Sequence, residues 1–161
     1  MIMKIRDLDS DFGQQLFKLQ KKSYKVEADL IGFADIPPLL ETYEQFIHCN
    51  ESFICFLEGD ALAGAISYTI ENRLLQICRM IVHPAYFRQG ITDALLNDLQ
   101  LQGDWEKISV STGKMNLPAR KLYEKNGFTH KEDIEAVPYL FISIFEKQHS
   151  FYGRHDKKHH E

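Results

Sequence analysis

The segment VHPAYFRQGITDALLNDL, residues 82–99, ends an apolar strand and opens directly into a helix. Gly90 stands at the turn, and apolar residues recur at the helical period from Ile91 to Leu99. A glycine lets the backbone approach a ligand closely, and the first N–H groups of a helix have no acceptor within it. This pattern can hold an anion such as a pyrophosphate, paired with Arg88. The alternative is an ordinary strand-to-helix turn in which Arg88 is solvated.

The chain before this segment is rich in β-forming residues. Residues 52–84, SFICFLEGDALAGAISYTIENRLLQICRMIVHP, form three β-rich runs separated by EGD and ENR. These breaks predict an antiparallel meander. The third run, Leu74 to Val82, is apolar except at Gln76 and Arg79, which predicts a central strand that is buried on both faces.

The first fifty residues predict a strand and two helices. Residues 1–6 favour a short strand, and Asp11 to Val26 carries apolar residues near the helical spacing. The run ADIPPLLETYEQFIHC, residues 34–49, predicts one helix with a stripe of Leu40, Tyr43 and Ile47. The intervening KVEADLIGF, residues 25–33, is interpreted as connecting structure or as the rim of a substrate site.

The chain after the central segment predicts a strand, a helix and two more strands. EKISVST, residues 106–112, is the strand, and NLPARKLYEKNGF, residues 116–128, is the helix. Asn116 can cap this helix, and Asn126 with Gly127 marks its end. The two final strands are expected within FTHKEDIEAVPYLFISIFEK.

Length and composition favour one folded domain over residues 1–148, followed by a polar tail over residues 149–161. Hydrophobic residues make up 44% of the chain and charged residues 26%, which is ordinary for a globular protein. The net charge of −4 argues against nucleic acid as a partner. It leaves open a small cationic substrate.

The cysteines and histidines do not predict a metal site. Cys49, Cys55 and Cys78 are odd in number, lack CxxC spacing and lie in apolar stretches, so we expect small hydrophobic thiols. The histidine-rich tail could supply metal ligands, but a solvated chain end is the favoured interpretation. The histidines concerned are His149, His155, His159 and His160.

The distribution of charge and hydropathy predicts a cytoplasmic protein with no membrane segment. The first twelve residues, MIMKIRDLDSDF, carry charges where a secretory signal requires an apolar run. The longest apolar run, VPYLFISIF, is too short to cross a bilayer as a helix.

A second pair of residues also carries potential chemistry. Tyr123 follows Asn116 by about two helical turns, so both side chains project from nearly the same face. An amide and a phenol aligned in this way can hold and protonate one ligand. The structural alternative is that Asn116 only caps the helix and Tyr123 only packs.

Together, RMIVHPAYFRQGITDALL and NLPARKLYEKNGF resemble the paired acetyl-CoA motifs of the GNAT superfamily of N-acetyltransferases. The second motif matches closely. In the first, Phe87 stands where the family usually has Arg or Gln, and Thr92 where it has Gly or Ala. The resemblance implies an α/β domain with a mixed, mostly antiparallel sheet of about six or seven strands and helices on both faces.

The resemblance also implies a set of site residues. Backbone groups of Ile81 and Val82 would hold the pantetheine arm and the thioester carbonyl, and Tyr123 would lie beside the sulfur as the general acid. Asn116 would touch the cofactor. The residues around the pyrophosphate would be Arg88, Gln89, Gly90, Ile91 and Thr92.

The implied reaction is transfer of an acetyl group from acetyl-CoA to a primary amine in a ternary complex, without metal or acyl-enzyme. Glu27 ranks first as the base that deprotonates the amine, before His83, Glu71 and Glu135. Cys78 is not expected to act as a nucleophile, because nothing near it in sequence would lower its pKa.

Several alternatives stay open at this stage. Phe87 and Thr92 favour an acyl-CoA sensor or interaction module without catalysis, whereas Tyr123 favours chemistry. A third interpretation makes the Gly90 turn a site for another nucleotide. The acceptor is expected to be a small-molecule or peptide amine, and acids such as Glu27 and Asp29 hint at a cationic one. The protein is expected to be a monomer or a homodimer.

Overall fold

A computed structural model describes residues 1–149. Five α-helices and seven β-strands occur in these residues. The strands are β1 Ile2–Ile5, β2 Ser52–Glu58, β3 Ala61–Glu71, β4 Leu74–Val82, β5 Lys107–Gly113, β6 Thr129–Val137 and β7 Leu140–Gln148. The helices are α1 Asp11–Ile31, α2 Pro37–Leu40, α3 Tyr43–Ile47, α4 Ile91–Leu99 and α5 Leu117–Lys125.

The strands form one mixed sheet in the order β1-β2-β3-β4-β5-β7-β6. β1 and β2, β2 and β3, β5 and β7, and β6 and β7 pair antiparallel, while β4 pairs with β5 in parallel over Leu74–Gln76. The predicted α/β class with a mostly antiparallel sheet of six or seven strands is confirmed. The placement of helices on both faces stays a prediction.

The described residues divide into two compact units, residues 1–68 with 78–101, and residues 69–77 with 102–149. The boundary between a single domain over 1–148 and a tail therefore stays a prediction. The first unit contains α1 to α4 and has its own core. Its fully buried side chains include Leu16, Phe46, Phe53, Ile54, Ile66, Ile81, Leu95 and Leu99.

Helix α1 is longer than the sequence pattern predicts. It begins after Ser10, whose Oγ accepts the N–H of Gly13 at 3.1 Å, and ends at Gly32 with φ of 70°. The predicted end at Val26 and the interpretation of residues 25–33 as a connection are therefore wrong. The physical reason is that Tyr24 and Ala28 continue the buried stripe, and no glycine or proline lies between Val26 and Gly32.

The predicted second helix is broken in two. Thr42 caps α3 and exchanges hydrogen bonds with Gln45, while the backbone at Glu41 is extended. The predicted apolar stripe is also wrong, because Leu40 is 62% exposed and Phe46 is the fully buried residue of α3.

The second unit contains β5, α5, β6 and β7. Its core includes Leu75, Trp105, Ile108, Val110, Tyr123, Phe128 and Phe145. The predicted cap is confirmed, since Asn116 Oδ1 accepts the N–H of Ala119 at 3.3 Å, and Gly127 adopts a φ of 89° after the helix. Every residue of β6, the last strand in the sheet order, is exposed.

The cysteine and histidine predictions have mixed outcomes. Cys55 is buried, and burial raises the pKa of its thiol to about 12, but Cys78 is exposed rather than hydrophobically buried. Successive side chains of a strand point to opposite faces, so Cys78 lies on the face of β4 opposite to the buried Ile77 and Arg79. Within residues 1–149 no cluster suited to a metal ion occurs. The other tail histidines, His155, His159 and His160, lie outside the described residues.

No helix within the described part of the chain is long and apolar enough to span a membrane.

Candidate active site

The turn after β4 contains the residues that the sequence predicts around an anion. His83 ends the strand by donating its N–H to Ala63 O at 2.8 Å, and a 3-10 helix over Pro84–Tyr86 follows. The backbone is then left-handed at Arg88, with φ of 64°, and at Gly90, with φ of 77°. These two conformations turn the chain straight into α4.

The start of α4 presents backbone donors without a side-chain acceptor. Gly90 is the N-cap and makes no side-chain cap hydrogen bond. A Cβ placed on Gly90 would meet no heavy atom within 4 Å, so the space in front of this turn is open. An uncapped helix start behind an open glycine fits a pyrophosphate.

The residues of this loop offer different groups. Arg88 and Gln89 are exposed, so a charged guanidinium and an amide stand at the surface. Thr92 is half-buried. Ile91 is buried, so only its backbone can face a ligand. Because Phe87 is 41% exposed, its ring leaves the backbone donors of the turn in place.

The end of β4 is bound by two hydroxyl groups of α1. The N–H of Val82 donates to Ser23 Oγ at 3.0 Å, and the N–H of Met80 donates to Tyr24 Oη at 3.1 Å. Ile81, between them, is fully buried. The sequence pattern did not single out Ser23 or Tyr24, because nothing local shows which strand a helix hydroxyl will meet.

Tyr24 has a structural rather than an acid–base character. Burial raises the pKa of its phenol well above its usual range, and the negative charge of Glu27 raises it further. The phenol therefore keeps its proton, and its oxygen accepts the hydrogen bond from the Met80 N–H of β4.

Glu27 lies on α1, not in a connection between helices. It follows Ser23 by one helical turn, so the two side chains share a face. Since Ser23 contacts the end of β4, that face of α1 is directed toward Val82. The half-buried carboxylate of Glu27 is therefore well positioned among the candidate bases.

The other candidate bases have different surroundings. His83 Nδ1 accepts the N–H of Ala85 at 3.0 Å, so the neutral ring carries its proton on Nε2 and acts there as a donor. Glu71, at the end of β3, and Glu135, in β6, are exposed residues of the second unit.

A pocket of about 470 Å³ lies beside the end of β4. Its lining residues are Lys21, Lys22, Lys25, His83 and Pro84, and they include no carboxylate. The Lys21 ammonium donates to the carbonyls of Pro38 and Leu39 at 3.0 Å each, so its aliphatic stem forms the wall.

A charge network on the other part of β4 was not expected. Arg79 donates to Glu41 and Glu51, and its Nη1 donates to Gln20 Oε1 at 2.8 Å. Burial alone would lower the pKa of Arg79, but the two carboxylates outweigh this effect and raise it. The one signal in the sequence is an arginine within an apolar strand.

The structure places Asn116 and Tyr123 in the second unit. Asn116 is buried and serves as the α5 cap, and Tyr123 is 3% exposed. The Tyr123 ring packs against Phe128 and Phe145, with centroids 5.6 and 6.0 Å apart. Asn116 thus has a structural role as a helix cap, and Tyr123 has one as a packed ring.

The second unit also brings together Ser143, Asp133 and His130. Ser143 Oγ donates to Asp133 Oδ1 at 2.6 Å, and His130 Nε2 contacts the same oxygen at 2.7 Å. These bonds hold the pKa of Asp133 at about 2. The histidine does not stand between serine and carboxylate, so the order differs from that of a nucleophilic triad.

Comparison with known proteins finds one matching family. The model of the acetyltransferase (GNAT) family matches residues 14–128. The chain is 35% identical over 146 residues to the UPF0157 protein YqkA of Bacillus subtilis, a match that covers 90% of this chain and 43% of that protein. The chain thus spans less than half the length of this curated relative.

Two solved structures share the fold. The PaiA N-acetyltransferase of Thermoplasma acidophilum in complex with coenzyme A has a TM-score of 0.70 at 18% identity, covering 92% of this chain and 99% of that one. The ribosomal-protein-S18-alanine N-acetyltransferase of Escherichia coli also has a TM-score of 0.70, at 15% identity, covering 92% and 94%.

Proposed function

Because the chain belongs to the acetyltransferase (GNAT) family, we propose that it transfers an acetyl group from acetyl-CoA to a primary amine by direct attack in a ternary complex. The observation that carries the proposal is the turn after β4. There, left-handed Arg88 and Gly90 open an uncapped helix start to solvent. This geometry supports binding of the pyrophosphate of acetyl-CoA.

Backbone and side-chain groups of the loop bind different parts of the cofactor. The backbone N–H groups of Gly90, Ile91 and Thr92 donate to the phosphate oxygens, and the Arg88 guanidinium supplies positive charge. Gln89 contributes an amide at the surface. Ile81 and Val82 hold the pantetheine arm and thioester, and Asn116 contacts the cofactor.

The acyl transfer requires a neutral amine. We assign the removal of its proton to Glu27, since the helix face it shares with Ser23 is the face that meets the end of β4. The nitrogen lone pair attacks the thioester carbon, the C=O electrons move to oxygen, and negative charge develops there.

Collapse of this intermediate re-forms the C=O bond and breaks the C–S bond. The leaving thiolate takes a proton from the Tyr123 phenol, because a phenolic O–H can act as a general acid toward sulfur. The amide nitrogen, which carries one extra proton after the attack, releases that proton to solvent, and the Tyr123 phenolate regains a proton from solvent. The products are an amide and CoA, and no acyl-enzyme forms.

The acceptor is proposed to be a small-molecule or peptide amine, rather than a nucleic acid. The E. coli structural neighbour acts on a ribosomal protein according to its name, so a protein amine belongs among the candidates. The reaction is assigned to the cytoplasm because acetyl-CoA is an intracellular thioester. The active form is proposed to be a monomer or a homodimer.

Calorimetric titration with acetyl-CoA, followed by a thiol-release assay against a mixed panel of amines, tests the proposal. We expect micromolar binding and thiol release with one amine class. Binding without release from any amine would favour an acyl-CoA sensor. Stronger binding of ATP than of acetyl-CoA would contradict the proposal and favour another nucleotide.

A further inference from the structure

The Val82 N–H already has an acceptor in this structure. It donates to Ser23 Oγ at 3.0 Å, and Ser23 lies in the middle of α1 with a half-buried side chain. If the Val82 N–H is to donate to the thioester carbonyl directly, its hydrogen bond to the Ser23 hydroxyl must first break.

The hydroxyl proton of Ser23 remains available for a further hydrogen bond. Within residues 1–149, its only hydrogen bond is the one it accepts from Val82, so its own proton is given to no acceptor. A serine hydroxyl can accept and donate at the same time. An oxygen that approaches the end of β4 can therefore take the Ser23 proton while the Val82 bond stays in place.

On this basis, and resting on the proposed function, we propose that Ser23 is a catalytic residue that donates its hydroxyl hydrogen bond to the thioester oxygen. Val82 then acts through Ser23. The chain from the Val82 N–H through the Ser23 O–H to the carbonyl oxygen is cooperative, because each bond polarises the next. The role expected for Val82 alone is thus shared by two residues from β4 and α1.

The proton and electron movements follow from this arrangement. As the amine attacks, the carbonyl π electrons move to oxygen, and the Ser23 hydrogen bond strengthens without transferring its proton. When the C–S bond breaks, the electrons return to the C=O bond and the hydrogen bond weakens again. Ser23 therefore ends the cycle unchanged, and its hydrogen bond, which already forms to the bound thioester, is strongest to the charged intermediate.

The charged groups around Ser23 have both signs. Lys22 and Lys25 are its neighbours on α1, and His83 directly follows Val82. These three residues line an open pocket of about 470 Å³ beside the end of β4. Lys25 is paired with Asp29 at 3.6 Å, and the Glu27 carboxylate shares the helix face of Ser23. The stabilising contact for a negative oxygen is therefore the hydrogen bond from Ser23 rather than the net local charge.

A binding measurement tests Ser23 without relying on turnover. Acetyl-CoA has the carbonyl oxygen, whereas its thioether analogue S-ethyl-CoA lacks it. We expect wild-type protein to bind acetyl-CoA about fivefold more tightly than S-ethyl-CoA, the scale of one neutral hydrogen bond. Ser23→Ala should bind both equally, and Ser23→Thr, which keeps the hydroxyl, should retain the preference.

Ser52→Ala is the matched control, because it removes an exposed hydroxyl at the start of β2. Alanine is a better helix former than serine, so Ser23→Ala is expected to fold. Where turnover is measured, Ser23→Ala should lower kcat about 100-fold, the scale of one lost oxyanion donor. Its affinity for CoA itself should stay unchanged.

The outcomes separate this assignment from the proposed function. If Ser23→Ala keeps the wild-type preference for acetyl-CoA, the assignment of Ser23 is overturned while the acetyltransferase proposal stands. If wild-type protein binds neither thioester nor thioether, the proposed function fails and the role of Ser23 fails with it.

Discussion

The Nε atom of Arg79 donates a hydrogen bond of 2.9 Å to Oε1 of Glu51, and the arginine side chain is only 10% exposed. The same guanidinium donates to Glu41, between α2 and α3, and lies over the rings of Phe46 and Phe53. A buried cation on β4 therefore holds two carboxylates from residues far away in the chain. Removing the cation would leave both carboxylates poorly compensated.

Arg79→Leu should lower the free energy of unfolding by about 3–5 kcal/mol, because breaking a buried pair leaves an uncompensated charge. Urea unfolding monitored by circular dichroism measures the change. The control is Asp29→Asn, which removes the exposed contact of 3.6 Å with Lys25 and should change stability by less than about 0.5 kcal/mol. Equal effects of the two substitutions would show that the Arg79 network contributes little.

Glu41 should make stability depend on acid pH. Burial alone would raise the pKa of Glu41, but hydrogen bonds from Arg79 and Gln20 lower it below the ordinary value of 4.5. The unfolded chain thus binds a proton at higher pH than the folded one. Its stabilising contribution is present above pH 4.5 and is lost as the pH falls through the folded pKa.

We therefore expect wild-type stability to decline more steeply below pH 4.5 than that of Glu41→Gln. Urea titrations at a series of pH values compare the slopes. Glu44→Gln, which alters an exposed carboxylate of α3, serves as the control and should keep the wild-type slope. A steep decline that persists in Glu41→Gln would assign the acid sensitivity to other groups.

The network also explains why the sequence predicted the strands better than the second helix. The breaks EGD and ENR are local signals, and β2, β3 and β4 form at the predicted positions. The prediction that β4 is buried on both faces is wrong, because burial alternates along the strand and Cys78 is exposed. The break between α2 and α3 instead accompanies a contact between Glu41 and Arg79, which are distant in sequence. The helical spacing of apolar residues cannot predict a contact between residues that are so far apart in sequence.

The candidate site shows the same limit. The left-handed turn at Gly90 was predictable because glycine is the residue that adopts it readily. The Ser23 contact to Val82 was not predictable, since it depends on which strand α1 packs against. Tertiary packing therefore added a residue that the motif alone does not include.

Gly90→Val should weaken binding of acetyl-CoA through the backbone. A Cβ at Gly90 would meet no heavy atom within 4 Å, so the cost comes from the φ of 77° rather than from a clash within the protein. A left-handed conformation costs roughly 1–2 kcal/mol for an ordinary residue, which corresponds to about a tenfold weaker Kd if the turn relaxes.

Gly90→Asn is the matched control, because asparagine tolerates the left-handed region. It should lose less affinity than the valine variant in calorimetric titrations. An unaltered Kd for Gly90→Val would show that the phosphates of acetyl-CoA do not bind at this turn.

Tyr123→Phe should lower kcat about 100-fold while leaving the Kd for acetyl-CoA unchanged, since only the general acid is removed. The phenylalanine ring preserves packing against Phe128 and Phe145, and a urea midpoint measured beside kcat and Kd shows that the variant is folded. Tyr139→Phe, which alters an exposed tyrosine, is the control and should be silent in all three measurements. Wild-type turnover by Tyr123→Phe at every pH would exclude the general-acid role.

Glu27→Gln should lower kcat/KM by about 100-fold, because a glutamine cannot accept the proton of the amine. Asp29→Asn, on the same helix and exposed, is the control and should keep the wild-type kcat/KM. Thiol release at a series of amine concentrations with saturating acetyl-CoA gives kcat/KM for the amine. A wild-type value for Glu27→Gln would exclude Glu27 as the base.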